Sequence, residues 1–274
     1  MKMKTVHTFF TALLLLTTTF LLSSCQDDEK SPAESEAAKK AKVEKVLAFR
    51  EDLDFINRFV NDNVTDIPEP EGRKSYTKTL TARIQEIVPC AETLEEEFPD
   101  GTVKVTMDFG DGCETEEGVV VTGSVVMTFK FAENIIKYDL KFTNYAELNS
   151  DEHDGEVING TVKGSFKLDL EASIFIQEME QDLNITYDNN TEARYRVAQS
   201  SEMTNEGLRV TSLTTSGNFA DEGVFTMTLT KALVYDFACD GDFPVQGEEI
   251  LNFQGNTIKV NYGNGTCDKT YTAQ

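Results

Sequence analysis

Apolar and polar residues alternate with a period of two over most of the chain after residue 90. Successive side chains of a β-strand point to opposite faces, so this alternation is typical of strands that bury one face and expose the other. The clearest alternating runs lie at residues 103–109, 125–131, 136–142, 158–170 and 225–237. Each run therefore predicts a half-buried strand.

Short segments rich in Pro, Asp, Asn and Gly separate many of the strands, and their composition is that of tight turns. They lie at residues 99–101, 111–112, 188–190, 218–223 and 264–265. Connections this short do not accommodate the crossovers that parallel strands need. The sequence thus predicts a mainly β fold, an antiparallel meander of about ten strands. A sheet of that size folds over or closes, which predicts a sandwich or an open barrel.

Ahead of the strands, apolar residues recur every three to four positions, which predicts one or two N-terminal helices. Ser31 and Pro32 form a helix start signal, and the pattern predicts a first helix from about residue 32 to 61. Its first half has little apolar surface to bury and is interpreted as a spacer. A second, shorter helix is predicted over 76–88, after a linker at 61–73. Both helices are expected to pack on one edge or face of the strand domain.

The N-terminus carries the features of an export signal. Lys2 and Lys4 precede an apolar run at 9–22 that is too short to span a bilayer as a permanent helix. The run ends in Leu21-Leu22-Ser23-Ser24-Cys25, which resembles a bacterial lipobox. The resemblance implies cleavage before Cys25 and acylation of that residue, so that the membrane is a partner through the lipid anchor. The alternative is an ordinary signal peptide with a chance cysteine.

Directly after Cys25, the acidic segment Gln26-Asp27-Asp28-Glu29-Lys30 resembles the export signal of surface lipoproteins in Bacteroidetes. This resemblance implies an outer-membrane location facing the cell exterior. A solvated tether on the periplasmic face is the alternative. The predicted organisation is a signal peptide at 1–24, a lipidated acidic tether at 25–33, a helical arm at 34–88 and an antiparallel β domain with two disulfides at 89–274.

The chain is strongly acidic, with 48 Asp and Glu against 25 Lys and Arg and a net charge of −23 over 274 residues. Proteins that bind nucleic acids gain affinity by neutralising phosphates with basic side chains. This charge therefore excludes a nucleic acid as a partner. With 39% apolar residues, the chain still has enough material for a sizeable core.

Four cysteines remain besides Cys25, and an even count in an exported chain predicts two disulfides. Four cysteines allow three pairings, and the predicted strands favour the sequential one. Cys90 and Cys113 flank the hairpin turned at 99–101, while Cys239 and Cys267 flank the last pair of strands. A zinc site is not expected, because the chain has no C-x-x-C knuckle.

Two of these cysteines follow similar phrases, Asp108-Phe109-Gly110-Asp111-Gly112-Cys113 and Asn261-Tyr262-Gly263-Asn264-Gly265-Thr266-Cys267-Asp268. Asp108 and Asp111 are candidate calcium ligands, and calcium is the one cofactor that the sequence suggests. The alternative is a pair of hairpin turns that need positive φ and are pinned by disulfides. The first phrase lacks the ligand spacing and the terminal Glu of a calcium loop, which favours the turns.

The stretch from Cys90 to Asp268 resembles a group of uncharacterised Bacteroidetes lipoproteins. The landmarks of that group are an early Cys, a D-F-G-D-G-C phrase, a G-x-[IV] strand, an F-x-N-Y…GT segment and a closing G-[DN]-G-T-C-D. Here they are Cys90, Asp108 to Cys113, Gly123 to Val125, Phe142 to Tyr145 with Gly160 and Thr161, and Gly263 to Asp268. The resemblance implies a fold and a location, and it brings no assigned activity or catalytic residue.

Catalytic signatures are absent from the sequence: it has no G-x-S-x-G, H-E-x-x-H or P-loop phrase. His153, the one histidine outside the signal peptide, lies in a polar turn. Tyr145, Tyr187 and Tyr195 are interpreted as sheet-face packing residues rather than a sugar platform. We expect a non-enzymatic binding or structural envelope component whose partner, protein or glycan, is open. The alternative is a glycan-capture accessory or a carboxylate-based hydrolase.

Overall fold

A computed structural model describes residues 35–53, 90–115, 118–132, 135–148, 155–169, 171–219, 223–239, 241 and 243–274. One helix, α1 (Glu36–Asp52), precedes twelve strands and packs on their sheet. The strands are β1 (Glu92–Glu97), β2 (Thr102–Glu114), β3 (Val120–Ala132), β4 (Ile135–Leu148), β5 (Val157–Asp169), β6 (Ile174–Thr186), β7 (Glu192–Met203), β8 (Gly207–Phe219), β9 (Gly223–Asp236), β10 (Gln246–Phe253), β11 (Asn256–Asn264) and β12 (Thr272–Ala273). A short 3₁₀ helix, Phe237–Cys239, follows β9.

All twelve strands belong to one antiparallel sheet, and their order in the sheet is their order in the chain. The first and last strands do not pair, so the sheet is not closed. The predicted mainly β meander is therefore confirmed, and its open form is consistent with a sandwich or an open barrel. The described residues contain twelve strands rather than about ten, and these include the two-residue β12.

One face of the sheet forms the core. Directly paired positions continue from strand to strand in a single row of side chains that are all less than one-tenth exposed. This row runs through Val105, Met127, Leu140, Val162, Gln181, Val197, Thr215, Met227, Leu251 and Ile258. Only two members of the row are polar, so the face is apolar from β2 to β11. Burial of such a face is the main favourable contribution to folding.

Helix α1 packs against this buried face. Val43, Val46, Phe49 and Leu53 recur at helical spacing and are at most 4% exposed. The interpretation of the first half of the predicted helix as a spacer is wrong from Val43 onward, because α1 is docked on the sheet from that residue. The rest of the predicted first helix, the linker and the second helix lie outside the described residues, as does the tether. No helix in the described ranges is long and apolar enough to cross a bilayer.

Most of the predicted turns are confirmed. Asp100 and Gly101 lie between β1 and β2, and the amide of Gly101 donates to Phe98 O at 3.0 Å. Residues 188–190 join β6 to β7. Of the turn predicted at 218–223, residues 220–222 lie outside the described residues; β8 ends at Phe219 and β9 begins at Gly223. Residues 264–265 close β11.

The turn predicted at Asp111-Gly112 is wrong, because both residues lie inside β2. Asp108 pairs with Ser124 and Cys113 with Val121, so β2 contains two residues more than β3 over this stretch. Gly110, at φ 58°, and Gly112, at φ 156°, accommodate this bulge at positions that side chains disfavour. The β2–β3 turn comes later, where the amide of Thr115 donates to Val119 O at 2.8 Å.

Both disulfides form, with the sequential pairing. Cys90 bonds to Cys113 with the Cα atoms 5.6 Å apart, and Cys239 bonds to Cys267 with the Cα atoms 5.2 Å apart. The first bridge ties the segment before β1 to the bulge in β2. The second encloses β10 and β11. On the chain-entropy estimate, each bridge stabilises the fold by roughly 3 kcal/mol.

The two edges of the open sheet are poor templates for further strands. β1 contains four glutamates, and two of them, Glu95 and Glu97, are exposed and pair with the inward-facing Val105 and Val103. Charges on the inward side of an edge strand discourage pairing with another chain. At the other edge, β12 has only two residues.

Tyr138 gives the core a pH-dependent contribution. Its ring stacks on Phe166 with centroids 5.2 Å apart, and it lies opposite Gly164, where any Cβ would overlap the tyrosine. Burial raises the pKa of Tyr138 to about 12, and the Gln177 side chain opposes part of this rise.

Since the folded pKa is above the ordinary value of about 10, this contribution is complete below pH 10 and is lost as the pH rises toward 12. The loss reaches about 2.7 kcal/mol at one pKa unit per 1.36 kcal/mol. Relative to its own value at pH 8, the urea midpoint of the wild type should therefore fall further by pH 12 than that of Tyr138→Phe. A wild type that loses no more stability than Tyr138→Phe over this range would contradict the expectation.

Candidate functional site

The two candidate calcium ligands lie on the bulge of β2. The Asp108 carboxylate accepts a hydrogen bond from the Gly110 amide at 2.9 Å, so it holds the bulge in shape. Among the described residues, no group of three or more His, Cys, Asp or Glu side chains is placed to hold a metal ion. Calcium binding through Asp108 and Asp111 stays a prediction.

The other candidates from the sequence separate into buried and undescribed residues. Tyr145 and Tyr195 are 6% and 4% exposed, and Tyr187 is half-buried against the core, so the interpretation of all three as packing residues is confirmed. Cys25 and His153 lie outside the described residues.

The opposite, solvent-exposed face of the sheet carries an open depression of about 450 Å³ that crosses β5 to β8. Two rows of paired residues line it. One row is Thr161, Asp182, Arg196 and Ser216, and the other is Lys163, Glu180, Ala198 and Thr214. Gln181 and Val197 also line it although their side chains point into the core, so their backbone forms part of the floor. The sheet itself therefore holds these side chains in fixed register.

Two arginines fix the carboxylate of Asp182 at one side of the depression. Arg194 donates from Nε to Oδ1 at 3.0 Å and from Nη2 to Oδ2 at 2.9 Å, and Arg196 donates from Nε to Oδ2 at 3.2 Å. The hydrogen bonds from Arg194, with those from Arg196, lower the pKa of Asp182. Asp182 is therefore ionised at neutral pH and serves as an acceptor rather than as a proton donor.

Several polar groups of the depression have no partner among the described residues. They are the Nη atoms of Arg196, the carboxylate of Glu180 and the hydroxyls of Thr161, Thr214 and Ser216. Lys163 is paired with Asp139, with Nζ to Oδ2 at 3.0 Å. Donors and acceptors are thus presented side by side on a surface whose register the sheet holds.

A second polar cluster lies in the core, where α1 meets the sheet. Glu249 on β10 is fully buried, and its two carboxylate oxygens lie 3.0 and 3.2 Å from Nη1 of Arg50. The Tyr262 hydroxyl donates to Glu249 Oε2 at 2.7 Å. Burial opposes the charge of Arg50, and the facing Glu249 carboxylate reverses this effect, so the pKa of Arg50 is raised. Burial and the same carboxylate raise the pKa of Tyr262. The cluster joins α1 to the sheet.

The sequence contained a signal for one of these clusters. Glu249, Leu251 and Phe253 are alternate residues of β10, so their side chains point to the same face of the sheet. This pattern identifies Glu249 as a carboxylate on the buried face. Only its partner could not be predicted without the structure. The depression had no such signal, because it depends on the register of four strands.

Comparisons with models of protein families, with curated proteins and with solved structures give no match for this chain.

Proposed function

We propose that the chain is a lipid-anchored lipoprotein of the outer membrane, displayed on the cell surface, and that it serves as a non-enzymatic binding component. The observation that carries the proposal is the phrase Leu21-Leu22-Ser23-Ser24-Cys25 followed at once by the acidic segment 26–30. Two disulfides in the following domain support an oxidising compartment, because such bonds persist in exported proteins.

The exposed depression supports a binding role over a hydrolytic one. A glycosidase of the usual type needs one carboxyl group with a raised pKa as its general acid. In the depression, Asp182 has a lowered pKa and is held by two arginines. Asp182 is therefore unsuited to the role of general acid. Glycan capture, which needs no general acid, is the second candidate function.

The location is tested by protease treatment of intact cells, with disrupted cells as the control and metabolic acyl labelling of the protein. We expect the acyl label to be present in the wild type and absent from Cys25→Ser. We expect the β domain to be cut on intact cells. A second variant, with Asp27, Asp28 and Glu29 changed to Asn, Asn and Gln, should keep the acyl label and become protected on intact cells.

The result of this test decides between the two membrane faces. If the wild-type domain is protected until the outer membrane is broken, display on the exterior is wrong and the domain faces the periplasm. If acyl label persists in Cys25→Ser, the anchor itself is wrong.

A further inference from the structure

The face of the sheet that forms the core, the core face, is closed at one end and open at the other. At the end where β5 and β7 begin, the last row of directly paired side chains is at most 6% exposed. This row is Tyr145, Ile158, Ile185 and Ala193. At the end where β5 and β7 end, the last row of directly paired core-face side chains is not buried. This open row is Leu168, Phe175, Met203, Leu208 and Tyr235.

The open row is a continuous apolar surface across β5 to β9. Phe175 is 39% exposed, and the four other members are half-buried. Phe237, which follows β9 and is 47% exposed, adds a second ring. Its amide donates to Glu206 O at 3.1 Å, so it lies at the same end of the sheet. A contiguous apolar surface that stays exposed is typical of an interaction site.

Acidic groups surround the open row. Four carboxylates lie on the strand ends and connections beside it: Asp169, Glu171, Glu206 and Asp236. The described residues of the β5–β6, β7–β8 and β9–β10 connections contain no lysine or arginine. On the same strand ends, Lys167 and Arg209 alternate with core-face residues and therefore point to the opposite face. This surface favours a partner that carries cations beside its apolar groups and repels one that carries anions.

Helix α1 shows which kind of partner the core face accepts. Its apolar stripe packs on this face, and two of its lysines lie over aromatic rings. Lys40 Nζ is 5.7 Å from the ring centroid of Tyr271, and Lys45 Nζ is 4.8 Å from that of Phe219. A cation over an aromatic face is attracted by the ring. The core face thus already binds a helix through apolar side chains and lysines together.

The open row is long enough for a second helix. Its members lie on five neighbouring strands that are about 4.8 Å apart, so the row spans about 19 Å. A helix rises about 1.5 Å per residue, so about 13 residues cover this span. Amphipathic helices are recognised in this way, with apolar anchors at every third or fourth position laid on an apolar surface.

From the open row, its acidic surroundings and the packing of α1, we propose that this end of the core face binds a basic amphipathic helix of another protein. Phe175, Met203 and Phe237 contact the apolar stripe of the partner. Glu171 and Glu206 attract the lysines or arginines beside that stripe. The inference rests on the binding role proposed above, and it names the class of the partner.

Two other occupants suit this surface less well. Anionic lipid headgroups would face the four carboxylates around the open row. A second copy of this chain has the same net charge of −23, so two copies repel each other. Both occupants are outcomes that the test separates from the proposed one.

The test measures binding of a labelled peptide to the full chain with Cys25→Ser, which keeps every described residue and needs no detergent. The peptide has two repeats of Leu-Lys-Lys-Leu-Leu-Lys-Leu, which place leucines on one face of a helix and lysines beside them. Fluorescence anisotropy in about 0.15 M salt gives the affinity. We expect this peptide to bind, and the same peptide with Glu in place of each Lys not to bind.

Two pairs of variants separate the open row from the charge of the whole chain. Phe175→Ser should weaken binding about tenfold, as expected for an aromatic anchor. Its control, Val224→Ser, removes an exposed apolar side chain at the opposite end of the sheet and should bind normally. Glu206→Gln should weaken binding about threefold. Its control, Glu192→Gln, removes the same charge at the opposite end and should have little effect. Circular dichroism of each variant separates lost binding from lost structure.

The inference is overturned if the lysine peptide does not bind, if Phe175→Ser and Val224→Ser bind it equally, or if the glutamate peptide binds as well. Sedimentation with vesicles of phosphatidylcholine and phosphatidylglycerol that is lost in Phe175→Ser would assign the open row to a bilayer instead. A dimer in light scattering that is lost in Phe175→Ser would assign it to a second copy. None of these assays depends on membrane location. A chain that is cut on intact cells and fails here retains the surface proposal and loses this one, and the reverse result does the opposite.

Discussion

Replacement of Glu249 by Gln is expected to lower the free energy of unfolding by about 3 to 5 kcal/mol, the usual cost when one partner of a buried ion pair is removed. Glu249 is fully buried and is the only carboxylate within 4 Å of the Arg50 guanidinium in the described part of the chain. The amide of Gln carries no charge, so the arginine would stay in the core without its counterion.

The matched control is Glu248→Gln, one residue earlier on the same strand. The Glu248 side chain is only 10% exposed, but its partners Lys231 and Lys259 are 66% and 43% exposed to water. The loss there should be smaller, because the two lysines left without their counterion remain in contact with water. Urea unfolding of the two variants in parallel measures the difference. Equal losses would show that Arg50 and Glu249 do not form a buried pair in solution.

A double variant separates the charge from the packing. In Arg50→Met with Glu249→Gln, no unpaired charge is left in the core, so we expect much of the stability lost in Glu249→Gln to return. Losses that add up to the sum of the single variants would contradict a direct interaction between the two residues.

Phe49→Ala is expected to lower the free energy of unfolding by about 3 to 5 kcal/mol, the typical cost of deleting a buried aromatic ring. The Phe49 ring is 4% exposed. Its centroid lies 5.2 Å from Tyr195, 5.0 Å from Phe219 and 6.1 Å from Phe225, so its removal opens a cavity between α1 and strands β7 to β9.

The control for this prediction is Glu44→Ala, on the exposed side of the same helix, where the pair with Lys40 is more than half exposed. It should change the free energy of unfolding by no more than about 0.5 kcal/mol. Thermal and urea unfolding measure both variants. If Phe49→Ala behaved like Glu44→Ala, α1 would not be docked on the sheet in solution.

Much of the fold was predictable, because alternation, turn composition and cysteine spacing are local signals. The strands that follow the runs at 103–109, 125–131 and 136–142 formed where the pattern placed them. The strand β1, with the sequence Glu-Thr-Leu-Glu-Glu-Glu, has no alternating pattern, and only its place between Cys90 and the predicted turn at 99–101 indicated a strand there. The phrase from Asp108 to Cys113 was wrongly predicted to contain a turn. Its glycines adopt positive φ, but positive φ at glycine occurs in bulges as well as in turns, and here it forms a bulge.

The polar clusters were less accessible to sequence reasoning. The parity of Glu249 indicates a buried carboxylate, but its partner Arg50 is 199 residues away and lies on a helix. The depression was even harder to predict from the sequence. Its residues are ordinary exposed positions on four strands, and only the register brings Glu180, Arg196 and Ser216 next to one another.

The order of the strands has a consequence for how the chain matures. Each strand pairs with its neighbours in the chain, so the sheet can grow hairpin by hairpin with short loop closures, which favours rapid assembly. The helix α1 is different, because its ionic partner Glu249 lies near the other end of the chain. During synthesis, the N-terminal part emerges first. The apolar stripe of α1 also packs on β7 to β9, so its docking must wait for the second half of the sheet. A nascent or truncated chain that ends before β7 presents that stripe to chaperones and proteases.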